Sequence, residues 1–324
     1  MLDLLIIGGS AAATAAGIYA ARRNLDFKVV SKDFGGEVAT SGEIGNWPGI
    51  KKIDGLELSK QFEDHLGSYG VEPELGVWVE KIHKSDDGTF CVTTKKKGEL
   101  KRGEKMAEDG NGNPICDYEA KTVIVATGVH PKSLDIPGEK EFRGKGVTYC
   151  TTCDGPLFKD KVTATIGGGN SALESSIMMA GIAKKHYVIN KNPQFKGDKI
   201  LIDKVSGLEN VEIIYNALTS KIIGEQFVTG LKYKDTGTNE EKQLDVEGIM
   251  VHIGMVPNSD IVPDDVEKNE YREVVVNIRA ETNIPGLYAA GDVTNIPFKQ
   301  IVIAAGQGTT AVLSAIEYIN RLKK

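Results

Sequence analysis

The sequence lacks a basic surplus. Its 39 lysines and arginines face 45 aspartates and glutamates, leaving a net charge of -6. Such a chain repels phosphate, which argues against nucleic acid as a partner. An N-terminal membrane span is also missing: the apolar run Leu2 to Ile7 is too short to cross a bilayer. No basic segment precedes it, and no cleavage site would leave the fold intact. The expectation is a cytoplasmic protein that engages neither membrane nor nucleic acid. Cysteine is scarce, with four residues, Cys91, Cys116, Cys150 and Cys153. A cytosolic chain of 324 residues, 40% hydrophobic, does not depend on disulfide staples and is long enough for two cored domains. Cys91 lies in the alternating run Thr89-Phe90-Cys91-Val92 and Cys116 beside a turn-rich stretch. Both are expected to behave as small hydrophobes.

Two strand–glycine–helix units are present. The first runs Leu4-Leu5-Ile6-Ile7-Gly8-Gly9-Ser10 and continues into the Ala-rich stretch from Ala11 to Leu25. The second runs from Val162 to Ile166, through Gly167-Gly168-Gly169-Asn170-Ser171-Ala172, into a helix reaching Ala180. Each is followed by another short strand, Lys28 to Val30 and His186 to Ile189. Strand, glycine turn, helix, strand is the dinucleotide-binding unit, and two copies point to two dinucleotides. Strands are also expected over Trp78 to Ile82, Thr89 to Thr94, Thr122 to Val125, Gly248 to Ile253 and Leu287 to Ala290. Residues 95–117, rich in Lys, Gly, Glu and Asn, read as a solvated hairpin tip. A last helix spans about Ile301 to Lys323, its cationic end matching the helix dipole. The fold class is α/β, with two Rossmann-like dinucleotide-binding domains, the second inserted in the first. The boundaries are 1–132 and 254–324 for the outer domain and 133–253 for the inserted one.

A pyrophosphate needs backbone N–H groups and a helix N-terminus with no side chain in the way. Gly8, Ser10 and Ala13 supply small residues at the three critical places of the first turn, and Gly167, Gly169 and Ala172 at those of the second. A tight strand–helix turn without ligand would carry the same residues. Between the units stands Cys150-Thr151-Thr152-Cys153-Asp154-Gly155. Two thiols at this spacing can close a disulfide, one attacking and the other resolving. Half a zinc site or two core cysteines are the alternatives, although a zinc site would want a second ligand pair. Asp154 sets an acid beside the pair, as proton transfer in dithiol exchange requires.

These segments resemble the low-molecular-weight thioredoxin reductases over nearly the whole chain. The matching marks are Gly35-Gly36-Glu37, Asn46-Trp47-Pro48-Gly49, Ala126-Thr127-Gly128, Cys150-Thr151-Thr152-Cys153-Asp154, Ile166 to Glu174, Ala289-Ala290-Gly291-Asp292-Val293 and Lys299-Gln300. The resemblance implies FAD in the outer domain, a nicotinamide-type domain carrying the dithiol, a homodimer, and a thioredoxin-like protein as partner. It further implies that the inserted domain rotates to present dithiol and nicotinamide to the flavin in turn. By that resemblance Gly8, Ser10, Ala11 and Ala12 hold the FAD pyrophosphate. Gly36, Glu37 and Asn46 contact the flavin side, and Val79 lies beside the adenine. Ala126, Thr127, Gly128 and Gly291 also line the FAD site. Asp292 binds the ribityl chain, with Lys299, Gln300 and Ile301 near the ring. Gly167, Gly169, Asn170, Ser171 and Ala172 serve a second dinucleotide. Cys153 is the flavin-proximal thiol, Cys150 attacks the substrate disulfide, and Asp154 is the acid. A dithiol oxidase and a flavin-bound redox sensor are the alternative readings of the same features.

One stretch departs from the family. NADPH-using members carry a His-Arg-Arg run and a further Arg after the strand equivalent to His186–Ile189. Here Asn190-Lys191-Asn192 and then Lys196 occupy those positions. Neither Lys nor Asn reproduces the planar fork with which Arg grips a 2′-phosphate. No acid stands at Asn190 to select the free 2′-OH of NADH. NADPH, NADH and another carrier such as ferredoxin all remain as donors.

Overall fold

The computed structural model describes residues 1–41, 43–95 and 116–322, with the backbone alone of Glu43 and Cys153. The expected hairpin tip at 95–117 therefore lies almost entirely outside the described residues. The chain forms two compact units. One comprises Met1–Thr40, Ile44–His130 and Val256–Lys324, the other Ser41–Glu43 and Pro131–Met255.

The first unit opens with β1 (Leu2–Ile7), α1 (Ala11–Arg22) and β2 (Phe27–Ser31). Then come α2 (Gly55–Gly67), β3 (Glu74–Leu75), β4 (Trp78–Lys84), β5 (Phe90–Lys95) and β6 (Tyr118–Val125). Its sheet runs β3-β2-β1-β6-β5-β4. The β1 pairings to β2 and β6 are parallel, and β4-β5-β6 is antiparallel. Leu4, Leu5 and Ile6 are fully buried. That continuous run, rather than an alternation, marks a strand covered on both faces.

The second unit contains β7 (Val147–Thr148), the single turn α3 (Thr151–Asp154), β8 (Val162–Ile166) and α4 (Asn170–Ala180). It continues with β9 (Lys185–Ile189), α5 (Lys199–Ser206), β10 (Val211–Ile214), β11 (Ala217–Gly224), β12 (Val228–Asp235), β13 (Glu241–Asp245) and β14 (Gly248–Val251). A parallel sheet of order β7-β14-β8-β9-β10 forms its centre, and β11-β12-β13 make a separate antiparallel sheet. That second sheet and α2 were not expected from sequence.

The chain returns to the first unit with β15 (Leu287–Ala289), which pairs in parallel with β6, and α6 (Ile301–Leu322). Among the described residues α6 has the length and apolarity of a membrane span. Its Ala311, Val312, Ala315 and Ile319 are nevertheless buried, the first three in the cluster that also holds Ala12, Ala13 and Ala16 of α1. Small residues on α1 let the two helices lie close on one face of the sheet.

One expectation is corrected. Cys91 and Cys116 are joined in a disulfide, with Cα atoms 5.2 Å apart. Cys91 is buried on β5 as expected. Antiparallel pairing sets it opposite Glu119 of β6, which carries the chain just before β6 alongside it. The pairing arises from strand register, which no cysteine spacing reveals.

Candidate active site

Gly8 ends β1 at φ 143°, and a Cβ there would lie 2.2 Å from the Ala126 carbonyl oxygen. Only a residue without a side chain lets the ends of β1 and β6 close up while turning into α1. The Ser10 hydroxyl donates to the Gly35 carbonyl at 2.6 Å, and no side chain caps α1. The first-turn amides of α1, at Ala11 to Ala13, are thus left for an anion, and the helix dipole favours one there. In the same turn Thr14 Oγ1 is buried without a hydrogen-bond partner among the described residues. An uncapped helix start behind a bare glycine turn fits the pyrophosphate of FAD.

The same unit gathers other predicted positions. Asn46 Nδ2 donates to Gln300 Oε1 at 3.1 Å. Lys299 pairs with Glu273 at 2.8 Å. Burial holds the Asp292 carboxyl above its ordinary range, against the pull of Lys299. Gly36 adopts φ 54°, Val79 is buried on β4, and Ile301 opens α6 half-buried. Glu37 is exposed. Thr127, followed by Gly128 at φ 65°, is held by Asn258. Its hydroxyl donates to the Asn258 carbonyl and its own carbonyl accepts from Asn258 Nδ2, each at 2.8 Å. Asn258 was missed because nothing in its surroundings resembles a motif. Gly291, beyond β15, donates its N–H to Gln307 of α6 at 2.7 Å.

The second unit repeats the glycine device. Gly167 ends β8 at φ 149°, and a Cβ there would meet the His252 carbonyl oxygen at 2.0 Å and the Ala172 Cβ at 2.8 Å. Around Gly169 a Cβ would find open space, and α4 also starts without a side-chain cap. Ser171 is exposed beside it. Asn170 is tied to the start of α5, donating to Asp198 at 2.9 Å and accepting its N–H at 2.7 Å. Asn190, buried at the end of β9, donates to the Gln194 carbonyl at 2.9 Å, while Lys191 and Lys196 are exposed. A dinucleotide pyrophosphate fits this turn. The cations near its ribose end are two exposed lysines, without an arginine fork.

Next to this turn, β7 delivers the chain to the cysteine pair. The N–H of Cys150 donates to Thr148 Oγ1 at 3.1 Å, and the Thr148 hydroxyl donates to the Asp154 carboxylate. The Asp154 N–H returns to the Cys150 carbonyl at 3.1 Å. Cys150 is disulfide-bonded, and Cys153 sits in the same turn, α3. A thiol of this turn can attack a disulfide, while the fixed carboxylate of Asp154 exchanges a proton with the departing or entering sulfur. Upstream, the buried Glu139 accepts from the N–H groups of Leu134 and Asp135 and from Tyr149 Oη, each at 2.7 Å. Burial pushes Tyr149 up to about 12, its bond to Glu139 adding to the shift. This clamp anchors the approach to the cysteines.

A family described as pyridine nucleotide-disulphide oxidoreductase matches residues 2–308. The chain is similar to thioredoxin reductase of T. acidophilum (36% identity, TM-score 0.76, 99% of both chains). It is also similar to that of Lactococcus lactis (27% identity, TM-score 0.79, 99% of this chain and 100% of that one). Another relative, a component of the Pseudomonas putida alkyl hydroperoxide reductase, is 39% identical over 98% of this chain. The chain spans 58% of that relative's length. With paired dinucleotide folds and a Cys-x-x-Cys turn in the second of them, the chain belongs to the pyridine nucleotide-disulphide oxidoreductases.

Proposed function

We propose that the chain passes electrons through FAD and the Cys150/Cys153 dithiol to the disulfide of a thioredoxin-like protein. The observation that carries this reading is the turn in which Thr148 ties the Asp154 carboxylate to the backbone of Cys150. Cys150 attacks the partner's disulfide, Cys153 resolves the mixed disulfide and takes the role of the thiol that receives the flavin's electrons, and Asp154 handles the proton. Residues 1–132 and 254–324 form the FAD domain and 133–253 the domain for the second dinucleotide. FAD, when bound, would supply two-electron transfer to the disulfide. The α1 amides and Ser10 hold its pyrophosphate, and Asp292 its ribityl hydroxyls. The enzyme works in the cytoplasm as a homodimer.

The donor is a carrier other than NADPH at ordinary efficiency, either NADH or a protein such as ferredoxin. Lys191 and Lys196 offer point charges where a 2′-phosphate needs a planar fork.

An anaerobic assay tests the reading. The protein is mixed with thioredoxin disulfide and, separately, NADPH, NADH or reduced ferredoxin, and free thioredoxin thiols are counted. Reduction by at least one donor, lost in Cys150→Ser, is expected. Reduction that survives in Cys150→Ser, or none with any donor, overturns it.

A further inference from the structure

A chain of buried polar side chains runs through the second unit and ends on the cysteine turn. Thr163 and Thr165 project from the same face of β8 and bracket the ring of His186 on β9. Thr163 Oγ1 lies 2.8 Å from His186 Nδ1, and Thr165 Oγ1 lies 3.0 Å from His186 Nε2. Thr165 continues to Ser175 Oγ of α4 at 3.0 Å, and Ser175 to Thr151 Oγ1 at 2.6 Å. Thr151 closes the chain on His252 Nε2 at 2.7 Å. Thr163, Thr165, Ser175, His186 and Thr151 are all buried. Thr151 directly follows Cys150 and opens α3, while the His252 carbonyl covers the Gly167 turn.

The direction of the hydrogen bonds follows from counting protons. Burial keeps both imidazoles neutral, pushing His186 down to about 3 and His252 to about 4. A neutral imidazole has one N–H and one acceptor nitrogen. If His252 donated into the chain, every hydroxyl would point inwards and His186 Nδ1–H would donate to Thr163. The Thr163 hydroxyl hydrogen would then be buried with no acceptor, since its bond among the described residues is to His186. In the opposite direction Thr163 donates to His186 Nδ1, and His186 Nε2–H to Thr165. Thr165 donates to Ser175, Ser175 to Thr151, and Thr151 to His252 Nε2. Every buried hydroxyl hydrogen then has an acceptor, as buried donors demand. His252 carries its own proton on Nδ1.

We propose that Thr151 is a positioning residue: donating to His252 Nε2 and accepting from Ser175, its hydroxyl fastens the first turn of α3 and favours the disulfide form of the Cys150/Cys153 pair. This rests on the reading of that pair as the redox centre. The network is complete in a structure whose Cys150 is disulfide-bonded. Among the described residues Thr151 bonds to Ser175 and His252, so it acts through the backbone it pins. A methyl group in place of the hydroxyl leaves Ser175 without its acceptor and His252 Nε2 without its donor. The chain then no longer prefers the disulfide geometry.

The test equilibrates holoprotein in glutathione redox buffers, traps thiols, and reads Cys150 and Cys153 by peptide mass spectrometry. Thr151→Val should shift the equilibrium towards the dithiol by about tenfold, close to 30 mV for a two-electron couple. Thr151→Ser should stay within threefold of the wild type. A Thr151→Val shift below threefold, a shift towards the disulfide, or no recovery in Thr151→Ser overturns the proposal. Failure of the wild type to show a Cys150/Cys153 couple at all would instead remove the redox reading beneath it. A second measurement needs no variant at position 151. In protein labelled with 15N-histidine, His252 Nε2 should be unprotonated and Nδ1 protonated at pH 7, assigned by loss of the signal in His252→Asn. A proton on Nε2 overturns the proposal.

Discussion

The hydroxyl of Thr148 stands between the Asp154 carboxylate, to which it donates, and the backbone N–H of Cys150, from which it accepts at 3.1 Å. One buried side chain thus fixes the acid relative to the cysteine. Thr148→Val keeps the shape and removes both bonds. Turnover with a protein disulfide should fall about tenfold, less than the roughly 10²–10⁴-fold a positioned proton donor contributes, because Asp154 is loosened rather than removed. KM should change little, because Thr148 is buried away from a docking partner. Steady-state kinetics of Thr148→Val beside Thr148→Ser checks this, with Ser recovering most of kcat.

Two histidines, the buried His186 and the half-buried His252, set an acid limit on stability. Burial holds His186 near 3 and His252 near 4, both below the ordinary 6.5. The unfolded chain therefore binds protons at these rings from pH 6.5 downwards while the folded chain does not, so stability falls as pH falls through that window. Between pH 6.5 and pH 5 each histidine contributes a loss of about 1–2 kcal/mol. Urea unfolding at the two pH values reads the sum. In His186→Leu the difference between them should shrink by one histidine's share.

The Cys91–Cys116 disulfide closes a loop with a sequence separation of 25. A closure of that size stabilises by about 2–4 kcal/mol, mostly by restricting the unfolded chain. In Cys91→Ser/Cys116→Ser the Tm in non-reducing buffer should drop by several degrees, at about 2–4 °C per kcal/mol. Disulfide reductase activity at 25 °C should be unchanged. Calorimetry with and without reductant separates the two states, since reductant should lower the wild-type Tm by more than the variant's, which keeps only the Cys150 disulfide.

Donor choice turns on one half-buried and two exposed side chains. Asn190 is buried, and its Oδ1 accepts the N–H of Asn192 at 3.2 Å. A larger residue at 190 would strain the loop. Asn192, which the loop carries next to the exposed Lys191, is the better place to restore a cation. Asn192→Arg should lower the KM for NADPH about tenfold, the value of one charge-assisted bond, and leave NADH unaffected. Equal gains for both nucleotides would assign the effect to general charge.

Much of this molecule was legible in its sequence, for reasons visible in particular residues. Leu4 to Ile7 is an apolar run and Val162 to Ile166 is β-branched apart from Ala164, each ended by glycines, so strand and turn declare themselves together. Cys150, Cys153 and Asp154 lie within five residues, and local spacing was enough to pick them out. What escaped depends on distant strands meeting. Cys91 finds Cys116 through the register of β5 on β6. Thr163 and Thr165 read as ordinary β-branched strand residues until β9 brings His186 between them. Nothing local marks Thr151, because its partners Ser175 and His252 are far along the chain. The strands β11 and β12, eight residues each, and β13 mix polar and apolar residues and adjoin no motif that would mark them.

Anaerobic reductive titration of the holoprotein tests the account most directly. On the proposed function, bound FAD would take up two electrons and the Cys150/Cys153 pair two more. The Cys150→Ser/Cys153→Ser protein should therefore take up two electrons per chain fewer than the wild type before its flavin is fully bleached and its thiol count stops rising. Equal uptake by the two proteins would contradict the central claim that this pair accepts electrons from the flavin.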